Sequence, residues 1–524
     1  VVNGGRTAGE LSRRGFLLGS GAALLLVACS SDDGGTATTT TSTVRHTARL
    51  PGDPFTLGVA SGDPAADSVV LWTRLAPQPL APDGAGGMPG DPVDVQWQLA
   101  EDDRFTSVVA EGVATAVPDE GHSLHVIADG LHPASEYHYR FVVGDFASRV
   151  GRTRTLPAPG DAVDRHRLAV ANCQWYESGT YAAYRHLARE DVDLVLHLGD
   201  YVYEYPGGGN RPSAPDHEVV SLEDYRLRYA SYKVDADLQA AHAAAAFVAT
   251  WDDHEVANNY LGDTVPGGRV ANRRLPERRA AAYRAWWENL PTRLPAPTDD
   301  HADIYRDFAI GNLARITLLD ERQYSEVAPC RDVVADDFGD CEERSEDRTR
   351  LGDAQEAFLA ESVTRADTTW NLVGNPVVLA GIDAGTTESA YYLDTWDGYP
   401  DAQRRMIASL AAAQNPVVLT GDYHAGMVLD VNERPFDTDS ELVCTELMAP
   451  PISSVLFPDD VSRRTPQLRQ QWNGHGYLTV TTEPDRVTAE FRILRDVQDP
   501  RSRISTRATW RIGAGEPRAR EVEA

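Results

Sequence analysis

Four short apolar runs break into polar residues at their carboxyl ends, and this repeated design organises the chain. Arg167-Leu168-Ala169-Val170-Ala171 leads into Asn172-Cys173-Gln174, and Asp193-Leu194-Val195-Leu196-His197-Leu198 into Gly199-Asp200-Tyr201-Val202-Tyr203. Phe247-Val248-Ala249-Thr250-Trp251 leads into Asp252-Asp253-His254-Glu255, and Pro416-Val417-Val418-Leu419-Thr420 into Gly421-Asp422-Tyr423-His424. Short continuous apolar runs predict strands buried on both faces. In open α/β sheets the carboxyl edge of such strands is where ligands bind.

The pattern is different before residue 157. Ser68-Val69-Val70-Leu71-Trp72-Thr73-Arg74, Val93-Asp94-Val95-Gln96-Trp97-Gln98-Leu99 and Glu136-Tyr137-His138-Tyr139-Arg140-Phe141 alternate apolar with polar, with Pro and Gly turns between them. This predicts a small β-sandwich of the immunoglobulin or fibronectin kind over 51–157, ending near Pro157-Ala158-Pro159-Gly160. From 161 to 524 strands alternate with helices, expected at 181–190, 222–232, 277–289, 354–364 and 402–413, so this part is an α/β domain. Further strands are expected at 314–320 and 370–375, and an antiparallel pair at 476–481 and 486–493 closes the sheet. The segment after Arg492 either folds over the site or trails.

Composition narrows the function. The chain has 524 residues, 42% of them hydrophobic, enough for two domains, and a formal charge of −30 that repels polyanions. No nucleic-acid-binding face is expected. Ser12-Arg13-Arg14-Gly15-Phe16-Leu17-Leu18 reads as a twin-arginine export motif, followed by an apolar stretch too short to span a bilayer with margin. Leu26-Val27-Ala28-Cys29 resembles a lipobox, which makes 1–29 a lipoprotein signal peptide with acylation at Cys29; an uncleaved anchor or another cleavage site is the alternative. Residues 30–50 form a flexible Ser/Thr/Gly-rich tether. The expected location is the outer face of the cytoplasmic membrane, or the medium, with the membrane reached only through the lipid. Cys330 and Cys341 flank an acidic loop and are placed for a local disulfide outside the cytoplasm. Cys444 reads as a buried strand residue, which leaves Cys173 as the thiol beside the carboxylates.

Taken singly, Asp200 could cap a turn, Tyr203 could be packing, and His424 a structural imidazole. Four strand ends with the same bias point instead to one metal-dependent site. Asp200 has two oxygens able to bridge two ions. Tyr203, three residues on, offers a phenolate suited to a trivalent ion such as ferric iron, and Cys173 a thiolate compatible with iron. Asp422 and His424 sit two apart on the last strand exit. Asp252 and Asp253 suit a second, harder cation, and His254 is placed to protonate a leaving alkoxide. A zinc-protease reading fails, because Asn258 stands where a second His is required.

Together with Phe55-Thr56-Leu57-Gly58-Val59-Ala60-Ser61-Gly62-Asp63-Pro64, these motifs resemble the PhoD-type alkaline phosphatases of the calcineurin-like metallophosphoesterase superfamily. The resemblance covers nearly all of the chain after the tether. It implies a four-layer α/β/β/α sandwich behind the N-terminal β-domain, Fe3+ and Ca2+ in the site with other divalent ions as the alternative, and phosphate mono- and diesters as substrates. The Asp200/Tyr203 spacing is also similar to that of purple acid phosphatases. By these resemblances Cys173, Asp200, Tyr203 and His424 hold iron. Asp200, Asp253 and Asp422 hold calcium, with Asp252 and Asn258 as further candidates. Arg278 and Arg279 meet the phosphate, and Asn375 is another polar group at the same edge.

The implied reaction is in-line attack on phosphorus by a bridging oxide or hydroxide, in a monomeric enzyme that scavenges phosphate from small esters. A phospholipase D-like or nucleotidase activity on phospholipid or nucleotide diesters is the near alternative. A non-catalytic ligand-binding surface lipoprotein is the alternative from another class.

Overall fold

Successive side chains of a strand face opposite ways, and in the central strands both faces are apolar. Leu194, Leu196 and Leu198 pack with Leu168, Val170 and Val248 into one core, while Val195, Ala169, Ala171 and Phe247 belong to another. The computed structural model describes residues 50–522 apart from 210, 266–274, 328, 331–334, 338–340, 386–388, 458–460 and 462–463. The export segment 1–29 with Cys29, and the tether up to residue 49, lie outside the described residues.

Three parallel strands, His166–Ala171, Leu194–Leu198 and Ala246–Thr250, form the middle of a ten-stranded sheet, with Leu194 opposite both Leu168 and Ala246. Gly476–Glu483, Arg486–Leu494 and Ile504–Gly513 extend it antiparallel on one side. The chain after Arg492 is therefore part of the sheet. Seven strands make the second sheet, with Ala314–Leu318, Trp370–Asn375, Pro416–Thr420 and Leu442–Met448 parallel to one another. Cys444 is fully buried in the last of these.

The layers follow from what each face buries. Leu196, Val170 and Val248 pack with Ile316, Leu372 and Leu419, so one core lies between the two sheets. Val195, Ala249 and Phe247 meet Tyr184, Tyr229, Leu238 and Trp286 from the helices Ala182–Leu187, Leu222–Lys233, Ala236–Ala244 and Leu275–Asn289. Val373 and Val418 meet Leu359, Val363, Met406 and Leu410 from Gly352–Thr364 and Pro400–Ala411. This is the α/β/β/α order. Truncating a fully buried leucine such as Leu196 to alanine costs about 2–5 kcal/mol.

The N-terminal sandwich shares a layer with this architecture. Val59–Gly62, Val69–Arg74 and Ser123–Ala128 continue the ten-stranded sheet, joined through the parallel pairing of Gly62 with Phe247. Val93–Ala100, Val108–Ala116 and Glu136–Val143 form the facing sheet, and Leu71, Leu124, Val95, Tyr139 and Phe141 fill the space between. Asp63 fastens the seam: it accepts from Thr292 Oγ1 at 2.9 Å and Arg293 N at 2.8 Å, and pairs with Arg306 Nη2 at 2.8 Å. The proline-rich stretch near residue 157 is thus a boundary in the sequence while the sheet runs across it. Cys330 and Cys341 are disulfide-bonded. Among the described residues no helix is long and apolar enough to cross a membrane.

Candidate metal centre

Each of the four predicted runs ends two residues before a polar side chain: Ala171 before Cys173, Leu198 before Asp200, Thr250 before Asp252 and Thr420 before Asp422. Cys173, Asp200, Asp422 and His424 have φ of 51°, 57°, 63° and 49°. The left-handed region is disfavoured for residues with a Cβ and clusters where function holds it in place. Gly199 at φ 100° makes the Asp200 turn possible, because a Cβ there would lie 2.5 Å from Asp252 Cβ.

The turns converge. Ligand atoms of Cys173, Asp200 and His424 lie within 4.8 Å of one another. The Tyr203 hydroxyl joins them, 2.8 Å from Asp200 Oδ2 and 3.2 Å from His424 Nε2. Asp200, Asp253 and His254 form a second group of the same tightness, and Asp200 belongs to both. His424 is oriented by Val455, whose carbonyl lies 2.6 Å from Nδ1, which leaves Nε2 for the cluster. His254 Nδ1 is 2.7 Å from Glu204 Oε2, so its Nε2 is the nitrogen available to a substrate.

Glu255 ties two of the loops together, accepting from Asp200 N at 3.1 Å, Tyr201 N at 2.7 Å and Asp252 N at 3.0 Å. Ser454 lies beside the Cys173, Asp200 and His424 group, with its hydroxyl 2.7 Å from Tyr203 and 2.7 Å from the Cys173 carbonyl. Arg322 is fully buried among the carboxylates, with Nε 2.5 Å from Asp252 Oδ1 and Nη1 2.9 Å from Asp394 Oδ1.

Crowding these acids away from water moves their proton affinities apart. Burial, reinforced by neighbouring carboxylates, pushes Asp200 and Asp422 well above the usual carboxylate range and Asp252 up to about 6. Asp253 goes the other way: burial opposes ionisation, but His254 and Arg322 outweigh it and hold Asp253 at about 2. His254 is raised well above its ordinary value against the pull of burial, chiefly by Asp253 and Asp200. Burial also raises the Cys173 thiol and the Tyr203 phenol. Asp200 Oδ1, Asp252 Oδ2 and Asp422 Oδ2 are buried with no hydrogen-bond partner among the described residues. Unpaired buried carboxylate oxygens beside a thiol, a phenol and two imidazoles are a donor set that fits bound cations.

Comparison with known proteins agrees with this geometry. Residues 168–491 match the family described as PhoD-like phosphatase, and 38–157 match its N-terminal domain. Alkaline phosphatase D of Bacillus subtilis (strain 168) is 41% identical over 478 residues, 87% of this chain and 80% of that protein. The chain belongs to the PhoD-like phosphatase family. Its structure is similar to a solved PhoD structure, with a TM-score of 0.86 at 39% identity, covering 91% of this chain and 94% of that one. A shorter match, 35% over 83 residues, is to purple acid phosphatase 23 of Arabidopsis thaliana, covering 15% of this chain and 18% of that protein. The protein is a phosphoric ester hydrolase, and its family points to metal dependence.

Within this phosphatase, Cys173, Asp200, Tyr203, Asp253, His254 and His424 come together, with Asp252 and Asp422 beside them. The other expectations are placed elsewhere. Asn258 is exposed, and it is its backbone N that is engaged, with Glu204 Oε1 at 2.6 Å. Asn375 points its carbonyl oxygen at Trp396 Nε1, 3.1 Å away, and its amide at the Val377 carbonyl. Arg279 is spent on Gly262 O, Asp263 and Asp300. Arg278 reaches Tyr225 and Glu218 and feels the charge of Glu204, one residue removed from His254. The buried arginine of the centre is Arg322, and it already occupies one oxygen of Asp252. Leu318-Leu319-Asp320-Glu321-Arg322 carries the same signal as the other runs, an apolar strand breaking into charge, and could have identified it. Glu255 closes the Asp252-Asp253-His254-Glu255 run, but its bonds to Asp200 N and Tyr201 N, like the contacts of Glu204, Asp394 and Ser454, are long-range and no local motif announces them.

Proposed function

We propose that the centre hydrolyses phosphate monoesters and diesters by direct transfer of the phosphoryl group to water, in an exported, lipid-anchored enzyme that scavenges phosphate. The observation that carries this reading is Asp200, one carboxylate common to two tight donor groups, which is what a two-cation site requires. Cys173, Asp200, Tyr203 and His424 would hold Fe3+; Asp200, Asp253 and Asp422 would hold Ca2+, with Asp252 held partly by Arg322. When bound, the ions supply charge to offset the phosphoryl oxygens and lower the pKa of water.

The chain's own groups do the rest. Asp253, Asp200 and Glu204 keep His254 protonated, and Glu204 accepts from its Nδ1–H and so orients the ring, so Nε2–H can be delivered to the departing ester oxygen. Arg322 favours the ionised forms of Asp252 and Asp394 against the cost of their burial. Cys173, as a ligand of the iron-type site, would have its sulfur engaged by the metal and so not free to attack phosphorus. Inversion at a chiral phosphate is expected; retention would overturn direct transfer. Arg13-Arg14 and Cys29 support export and anchoring. Metal analysis of the purified protein tests the cofactors: iron near stoichiometric with calcium is expected, and zinc or manganese alone would displace this assignment.

A further inference from the structure

Among its described residues, the α/β part of the chain leaves almost no large hydrophobic side chain in water. Among the described residues beyond Gly160, the exposed ones are Val455 and Phe457, 55% and 37% exposed; the others lie on the N-terminal strands and their connections. Single exposed apolar residues are ordinary. Here two stand within three residues of each other at the metal centre, on backbone pinned by the centre itself. The Val455 carbonyl accepts from His424, Ser454 N donates to the Cys173 carbonyl at 3.2 Å, and the Ser454 hydroxyl touches Tyr203. The Phe457 ring stacks on His424 with centroids 4.8 Å apart and meets the edge of Tyr423 at 5.4 Å.

His254 and His424 flank Tyr203. The His254 ring centroid is 4.0 Å from that of Tyr203, and His424 Nε2 is 3.2 Å from the Tyr203 hydroxyl. With the leaving oxygen attended by His254, a group beside His424 would meet a different substituent of phosphorus. A monoester has only oxygens to offer there. A diester has its second arm.

We propose that Val455 and Phe457 form an apolar shelf that receives the non-leaving arm of a phosphodiester, so that the site selects diesters whose retained arm is apolar or aromatic. This rests on the diester hydrolysis proposed above. One extra hydrocarbon group in a site of this kind discriminates by about 10–200-fold, and a half-open shelf belongs at the low end.

The test compares benzyl p-nitrophenyl phosphate with methyl p-nitrophenyl phosphate, which share a leaving group and differ only in the retained arm. For the wild-type protein kcat/KM is expected to favour the benzyl ester about tenfold, and benzylphosphonate to inhibit p-nitrophenyl phosphate hydrolysis more tightly than methylphosphonate. In the Val455→Ser/Phe457→Ser variant the benzyl-to-methyl ratio falls towards one, and Phe457→Leu alone recovers part of it. Iron and calcium content measured on each variant separates loss of the shelf from loss of the centre. A wild-type ratio near one overturns the inference, as does an unchanged ratio in a metal-replete double variant. Hydrolysis of p-nitrophenyl phosphate with neither diester turned over overturns the shelf and leaves the phosphatase standing; no turnover of any of the three by metal-replete protein overturns the catalytic reading as well.

Discussion

Replacing Glu204 by glutamine keeps the shape of the contact with His254 and removes its charge. Glu204 is 2% exposed, with Oε2 2.7 Å from His254 Nδ1 and Oε1 2.6 Å from Asn258 N. Two unit charges at that separation interact by roughly 6 kcal/mol at an effective dielectric near 20. The net contribution of a charge-assisted hydrogen bond after desolvation is smaller, about 1.5–3 kcal/mol. The smaller figure governs, because the glutamine amide retains a dipole against the imidazole. At about 1.36 kcal/mol per pH unit, the His254 imidazolium of the variant releases its proton roughly 1–2 pH units earlier. His254 works as an acid, so activity is lost as pH rises through its pKa. Lowering that pKa moves the alkaline limb of the kcat/KM profile to lower pH by the same roughly 1–2 units, while the acid limb stays. The profile should be measured with phenyl phosphate as well as p-nitrophenyl phosphate, since the poorer leaving group depends more on the proton. An alkaline limb at the wild-type pH for both esters, with only a uniform drop in rate, would show that Glu204 merely shapes the turn and that His254 is not the acid.

Other outcomes follow from the same geometry. Arg322→Met leaves Asp252 and Asp394 as unpaired buried carboxylates and is expected to cost about 3–5 kcal/mol at neutral pH, read from denaturant melts. Without Arg322 both acids hold their protons to higher pH than in the wild type, where Asp252 is already pushed up to about 6, so protonation relieves the cost and the deficit should shrink as pH falls towards about 6; a deficit independent of pH would contradict it. Tyr203→Phe is expected to remove a visible phenolate-to-iron absorption from the iron-replete protein, and persistence of that band would exclude Tyr203 as a ligand. Gly199→Ala forces a Cβ to 2.5 Å from Asp252 Cβ at φ 100°, and is expected to destabilise by at least about 1–3 kcal/mol and cut the affinity for both metals, checked by melting and metal titration.

The elements most legible in the sequence were those whose local pattern is sufficient. The central strands are apolar on both faces, and their carboxyl ends announce Cys173, Asp200, Asp252 and Asp422 without any knowledge of tertiary structure. Helices with a clear start were also readable, as at Leu222–Lys233, where Ser221 and Asp224 form a reciprocal cap. The short helix Ala236–Ala244 was not: it follows its predecessor after only Val234 and Asp235, and its Ala-rich sequence carries little facial contrast. Choosing the arginine was the harder problem. Arg278 and Arg279 sit on a helix whose neighbours absorb them, whereas Arg322 enters from the second sheet, and only the docking of two sheets reveals which guanidinium meets Asp252. The reach of the N-terminal sandwich was hidden for a similar reason, since alternation predicts strands but not the partner of an edge.

That shared layer has a consequence for how the chain assembles. Strands from residues 59–128 and from 476–521 lie at opposite flanks of the one sheet whose middle bears Cys173 and Asp200. Two of its pairings, Val170 with Leu478 and Gly62 with Phe247, join segments more than a hundred residues apart on either side of the middle strands, so productive collapse must wait for both flanks to arrive, a slow, high-contact-order step. Trimming the first hundred residues of the described region would bare the flank of Ala246–Thr250, a fully buried, uncharged β-segment with no defence against sticking to its own kind. The beginning of the chain therefore serves as a permanent guard for the edge beside the reaction centre.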